Sequence, residues 1–232
     1  MISNSNPAWE TRLAWAKRMD WTPTREQVKS GLNDTNPDVR TAWAKRTDFT
    51  PTCEQVNIGL SDHAWEIRLA WAKRMDWTPT SKQVERGLKD ISSSFRVAWA
   101  KRMDWTPTSE QAERGLSDAD RDVRSAWAMR MDWTPTSEQV EIGLNDEDWA
   151  VREAWAKRMD WTPTPEQVES MLRDVASIRV EMVNRMDWTP TPEQVEAGLN
   201  DQSKKVRIAW MERLKKEQEK LLESDHSFGA SL

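Results

Sequence analysis

The sequence predicts an all-α protein: a right-handed α-solenoid of about seven two-helix repeats of 28 residues, closed by a C-terminal capping helix. Three observations carry this. The stretch Trp-Thr-Pro-Thr-x-Glu-Gln-Val recurs along the chain and places Trp21, Phe49, Trp77, Trp105, Trp133, Trp161 and Trp188 at steps of 28 residues five times and 27 once. Within each copy an apolar stripe of helical period is followed by a proline-containing turn and a second, narrower stripe. The chain also holds 16 tryptophans, more than one helical hairpin could shield at a time, so neighbouring copies must stack to bury them.

Asp146 to Arg173 shows the elements in order. Val151, Ala154, Trp155 and Met159 form the stripe of a first helix, with Arg152, Glu153, Lys157 and Arg158 on its other faces. Asp160-Trp161-Thr162-Pro163 breaks the period, because proline disfavours helical geometry in the residue before it. Thr164 is the N-cap of a second helix, Gln167 its capping-box partner, and Pro165 sits where its missing N–H costs nothing. Val168 and Leu172 give that helix an apolar edge, and in other copies a glycine precedes the leucine, as in Gly143-Leu144, marking a helix end or a tight contact. The repeats cover residues 7–213. Residues 1–6 form an N-terminal segment, 214–223 a helical extension with Met211, Leu214, Gln218 and Leu221 on one stripe, and 224–232 a disordered tail. The extension reads as a cap over the exposed apolar cross-section. The first repeat shows no special cap, which leaves room for a homodimer through that end of the solenoid.

Composition narrows the classes. No apolar run approaches the roughly 18 residues that a membrane span needs, and the first residues lack the basic and apolar regions of a secretion signal. Cys53 alone allows no internal disulfide, so a cytoplasmic location is expected. A net charge of −5 argues against a dedicated polyanion binder, though not against a local basic strip.

An aspartate six residues ahead of an arginine recurs as Asp34 with Arg40, Asp62 with Arg68, Asp90 with Arg96, Asp118 with Arg124, Asp146 with Arg152 and Asp201 with Arg207; Asp174 precedes Arg179 by five. These read as an ion-pair ladder joining adjacent repeats rather than as a row gripping phosphates, because each arginine has a dedicated acid at fixed spacing. The pattern Gly-Leu-x-Asp-x-x-x-x-Val-Arg-x-Ala-x-Ala, followed by Thr-Pro-x-Glu, resembles HEAT-like repeats and leucine-rich repeat variant units. The resemblance implies an α-solenoid that serves as a protein-binding scaffold. Its tryptophan content and 28-residue period depart from both patterns, and no N-terminal cysteine cluster is present, so no iron–sulfur centre is carried over.

Trp15, Trp43, Trp71, Trp99, Trp127, Trp155 and Trp210 lie mid-stripe in first helices, and six more lie in the turns; all thirteen read as core. Trp9, Trp65 and Trp149 stand instead in the variable connector between repeats, where other copies place Pro37, Ser93, Arg121 or Lys204. Together with Phe95 and Arg121 they are the expected partner-binding ridge. Lys17-Arg18, Lys45-Arg46, Lys73-Arg74, Lys101-Arg102 and Lys157-Arg158 end first helices, where they complement the dipole; they are also the contacts that direct DNA or RNA binding would use.

Enzymatic chemistry has little support, and no cofactor or metal is implied. His63 and His226 do not recur, no spaced His/Cys/Glu cluster exists, and Cys53 takes the helix-start place of Ser81 or Ser109. The expected function is a non-enzymatic protein-binding scaffold or inhibitor. Near-identity of the copies suggests recent expansion, as in fast-evolving bacterial or phage genes, and a counter-defence protein that blocks a host nucleic-acid enzyme is its concrete version.

Overall fold

The computed structural model describes residues 8–229, with side chains described as far as Lys220. Among these residues there are fifteen helices and no strand, in two units that meet at Gly115 and Leu116. The first unit holds α1 (Trp9–Lys17), α2 (Arg25–Leu32), α3 (Pro37–Ala44), α4 (Cys53–Leu60), α5 (Trp65–Ala72), α6 (Ser81–Gly87), α7 (Ser93–Ala100) and all but the last residue of α8 (Ser109–Leu116). The second holds α9 (Arg121–Ala128), α10 (Ser137–Leu144), α11 (Trp149–Ala156), α12 (Pro165–Leu172), α13 (Ala176–Asn184), α14 (Pro192–Leu199) and α15 (Lys204–Gly229).

Within the first unit α1, α3, α5 and α7 lie side by side as one layer and α2, α4 and α6 as another; within the second, α9, α11, α13 and α15 form the corresponding layer. This is an all-α solenoid of repeats. The closest hairpin pairs each second helix with the first helix of the following repeat, α4 with α5 and α12 with α13, rather than the two helices of one 28-residue copy. Local chemistry explains the pairing. Residues 61–64 join α4 to α5 tightly, and Gly59 faces Trp71, where a Cβ would come within 2.0 Å of the indole nitrogen. No described glycine has a positive φ, so the recurring glycine marks a close approach and not a left-handed helix end.

The second helices start as the sequence predicts. In α12 the Thr164 hydroxyl accepts from the Gln167 backbone N–H while the Gln167 side chain accepts from the Thr164 backbone N–H, and Thr24, Thr52, Thr80, Thr136 and Thr191 repeat the capping box. The core holds buried Trp43, Trp71 and Trp99 in the first unit and Trp127, Trp155 and Trp210 in the second, with Val or Ile four positions before most of them. Turn tryptophans meet the buried indole of the next repeat edge-on, as Trp77 does Trp99 at 6.1 Å and Trp133 does Trp155 at 6.3 Å.

Several expectations need correction. Trp15 is half exposed, because no second helix precedes α1 among the described residues. Met159 lies beyond the end of α11 and is exposed, while Arg158, expected on an outer face, is buried. The variable connector is in large part the first turn of the following helix: Trp9, Trp65, Arg121 and Trp149 are the first residues of α1, α5, α9 and α11. The extension expected over 214–223 and the tail expected from 224 are drawn as one continuous helix to Gly229, whereas 230–232 and the segment 1–6 lie outside the described residues. Over 211–220 of this helix Met211 and Gln218 face solvent, Leu214 is half-buried and Arg213 is buried.

Candidate partner-contact surface

The buried arginines decide which cations remain at the surface. The first helices α3, α5, α7, α9 and α11 end in alanine, and the next three residues no longer follow the helical period: after α5, Lys73 points out, Arg74 in, Met75 out. At Arg102, Nε and Nη2 grip the Asp104 carboxylate at 2.9 and 2.5 Å. Nη1 donates to the carbonyls of Ala72 and Arg74 at 2.9 and 2.5 Å, and Nη2 donates to that of Trp77 at 2.9 Å. Its carbon stands 4.3 Å from the centre of the Trp77 ring. All five donors are thus used, three of them on carbonyls at the C-terminal end of α5 and its turn, where the helix dipole is negative. Arg46, Arg74, Arg158, Arg185 and Arg213 repeat this grip on the repeat before them. At Arg213 the helix runs on, and Glu217 one turn later takes the place of the aspartate at 2.8 Å.

A second ladder runs through the other arginines, with a partner different from the one the spacing suggests. Arg40 forks onto Asp62, 22 residues ahead, at 2.7 and 3.0 Å, and takes only the backbone carbonyl of Asp34, six residues behind, at 2.8 Å. Arg12 with Asp34, Arg68 with Asp90, Arg124 with Asp146 and Arg152 with Asp174 follow the same rule, and Arg179 reaches Asp201 through one bond at 2.8 Å. The ladder therefore joins adjacent repeats, as expected, but through the acid that follows the next second helix. The Arg12 bond holds the Asp34 carboxyl below the usual carboxylate range, and the Arg46 bond does so for Asp48.

This sorts the predicted nucleic-acid contacts. Arg46, Arg74, Arg102 and Arg158 are buried with their donors spent, which corrects the expectation that they face a ligand; Arg18, with no helix end before α1 among the described residues, is exposed on Asp20. Lys17, Lys45, Lys73, Lys101 and Lys157 are exposed, and Lys157 is tied to Glu153. Phe95 is 1% exposed and does not belong to a ridge. It fills the core position held by Ile67 and Val123, edge-on to Trp99 at 6.1 Å.

What the surface does display is apolar. In the first unit Trp9 and Trp65 are 40% and 43% exposed; in the second, Trp149 is 50% exposed and Arg121 reaches out to Asp148 at 2.9 Å. That contact raises the Arg121 pKa and lowers that of Asp148. At the other end of the first helices stands a row that sequence reasoning missed: Met19, Met75 and Met103 in the first unit, Met131 and Met159 in the second, all exposed. The signal was present as Arg-Met-Asp after most first helices, with Thr47 the exception after α3, hidden by assigning the methionine to the helical stripe.

No family model and no curated protein matches this chain. Among solved structures it is similar to one described as a leucine-rich repeat variant with a novel repetitive protein structural motif. That match has a TM-score of 0.63 and 22% identity, and covers 90% of this chain and 77% of the other. The fold is that of a leucine-rich repeat variant. At this identity the likeness concerns the leucine-rich repeat variant fold alone. No helix among the described residues is long and apolar enough to cross a membrane.

Proposed function

We propose that the chain is a non-enzymatic protein-binding scaffold or inhibitor that contacts its partner through exposed aromatics on the first turns of its first helices. One observation carries the reading. Trp9, Trp65 and Trp149 are large, half-exposed indoles at a position where other repeats of the same fold manage with Pro37, Ser93, Arg121 or Lys204, so the fold does not need them. Indoles of this kind anchor protein interfaces, since each brings much apolar area at little entropic cost. The exposed methionines add flexible thioethers that adapt to an apolar partner. An inhibitor that covers a host nucleic-acid enzyme is the concrete form of the proposal. Lys17, Lys45, Lys73, Lys101 and Lys157 stand one to a repeat and are too interspersed with Met75, Met103, Asp104 and Asp160 to favour direct nucleic-acid binding.

The test is affinity capture from the native source with the unaltered chain and with Trp65→Ala plus Trp149→Ala. A protein retained by the first and lost by the second is expected, with Tm of the variant within a few degrees of the parent. Equal retention by both, or loss of folding in the variant, would remove these indoles from the proposal.

A further inference from the structure

Within each unit the second helices hand their outer faces to one another. In the first unit Pro51, Val56 and Asn57 face Trp77, Gln83 and Arg86 across a cleft of 400 Å³, with Gln83 donating to Asn57 at 2.8 Å. In the second unit Gln167 donates to Glu141 at 2.9 Å and Gln194 to Glu169 at 3.2 Å. The arginine ladder runs in parallel, each arginine gripping the aspartate that follows the next second helix.

At α14 the same register is presented with no further second helix opposite it among the described residues. Pro190, Pro192, Val195 and Glu196 occupy the places of Pro51, Cys53, Val56 and Asn57 and line a groove of 810 Å³ that α15 walls with Arg213, Glu217 and Lys220. Val195 and Leu199 are half-buried, whereas Val56, Val140 and Val168 and Leu60 and Leu144 are buried. The Glu196 carboxylate has no partner among the described residues. Arg207 donates Nη1 to the carbonyls of Asp201 and Gln202 at 2.5 and 3.2 Å, and no described carboxylate fills the fork that its counterparts close on aspartate. Position 229, 22 residues ahead of it, is glycine.

We infer that this groove is a docking site for one further helix of the second type, supplied by another polypeptide: an amphipathic segment of the pattern Thr-Pro-Thr-x-x-Gln-Val-x-x-Gly-Leu-x-Asp. Its valine and leucine cover Val195 and Leu199, its glutamine donates to Glu196, and the aspartate after its last turn fills the Arg207 fork. The site extends an interface that the chain already builds between its own repeats, and it stands apart from the first-turn indoles.

The probe is a dye-labelled, acetylated peptide with the sequence of residues 134–146, titrated onto the full chain and followed by anisotropy. Saturable binding is expected, weakened about tenfold or more by Arg207→Gln, by Glu196→Lys, and by a peptide with asparagine in place of its terminal aspartate. Circular dichroism and Tm of Glu196→Lys should match the parent, since that carboxylate supports little within the chain, whereas Arg207→Gln, which gives up its bonds to the Asp201 and Gln202 carbonyls, should lower Tm by a few degrees with the helical signal retained. Absence of binding, binding indifferent to all three changes, or binding lost only with Trp15→Ala in the first unit would overturn the inference.

Discussion

Gly59 and Trp71 share one volume. The indole is fully buried, and a methyl group on residue 59 would fall inside its contact distance, so neither ring nor helix has room to yield. Gly31 with Trp43, Gly87 with Trp99, Gly143 with Trp155 and Gly198 with Trp210 repeat the pair. The exception confirms the coupling: where the sixth repeat has Met171 in place of glycine, the facing position holds Met182 in place of tryptophan, and both are buried in one cluster. Gly59→Ala should therefore cost about 2 kcal/mol in chemical denaturation, and Gly59→Met combined with Trp71→Met should lose less than the sum of its parts by about 1 kcal/mol. Additive losses would show that the two sites are independent. The buried guanidinium makes a second residue-scale prediction. Lysine cannot hold five acceptors in one plane, so Arg102→Lys should lower stability by about 3 kcal/mol although charge is retained. An unchanged urea midpoint would mean that the Arg102 network contributes nothing net.

Helices of seven to nine residues are too short to persist on propensity alone, so caps and cross-repeat pairs must hold their ends. The caps were legible because a threonine, a glutamine three residues on and a proline or serine between them have one local meaning. The arginines were misread because their acids are 22 residues away, a distance at which spacing in the sequence no longer says which groups meet. The ladder predicts an acid limit. Asp34 and Asp48 are held below their usual range by Arg12 and Arg46, and Glu85 is lowered to about 2 by Lys89, then Gln111 and Arg114. A carboxylate depressed on folding contributes fully above its unfolded value near 4 and loses that contribution as pH falls through the folded value. Glu181, raised by burial, runs the other way but is a single group. The Tm should accordingly stay level from pH 7 to 5 and drop below pH 4. A Tm at pH 3 equal to that at pH 7 would exclude the ladder as a source of stability.

At the scale of the molecule, burial of the arginines leaves a chain of net charge −5 whose exposed lysines alternate with methionine and aspartate. Generic duplex DNA should therefore show no saturable binding even at low salt, measured by anisotropy up to about 10 μM, since counterion release needs several cations on one backbone track. Tight, steeply salt-dependent binding would return the lysine row to functional standing. The exposed surface is instead marked by indoles and thioethers, which is the composition of a protein interface rather than of a phosphate track.

The sequence by itself determined the repeat, its two helices, their caps and the need to stack, because each rests on contacts within a few residues or on a count of large side chains that one hairpin cannot cover. Tertiary structure alone decided which helices form the close hairpin, and that Phe95 and the arginines of Lys45-Arg46, Lys73-Arg74, Lys101-Arg102 and Lys157-Arg158 turn inward while Arg18 stays outside. The reason is geometric. Once a helix ends, side-chain direction no longer follows its period, so the choice between core and surface at Arg74 or Met75 falls to whatever the neighbouring repeat presents: a helix end with unpaired carbonyls draws the guanidinium in and leaves the thioether outside.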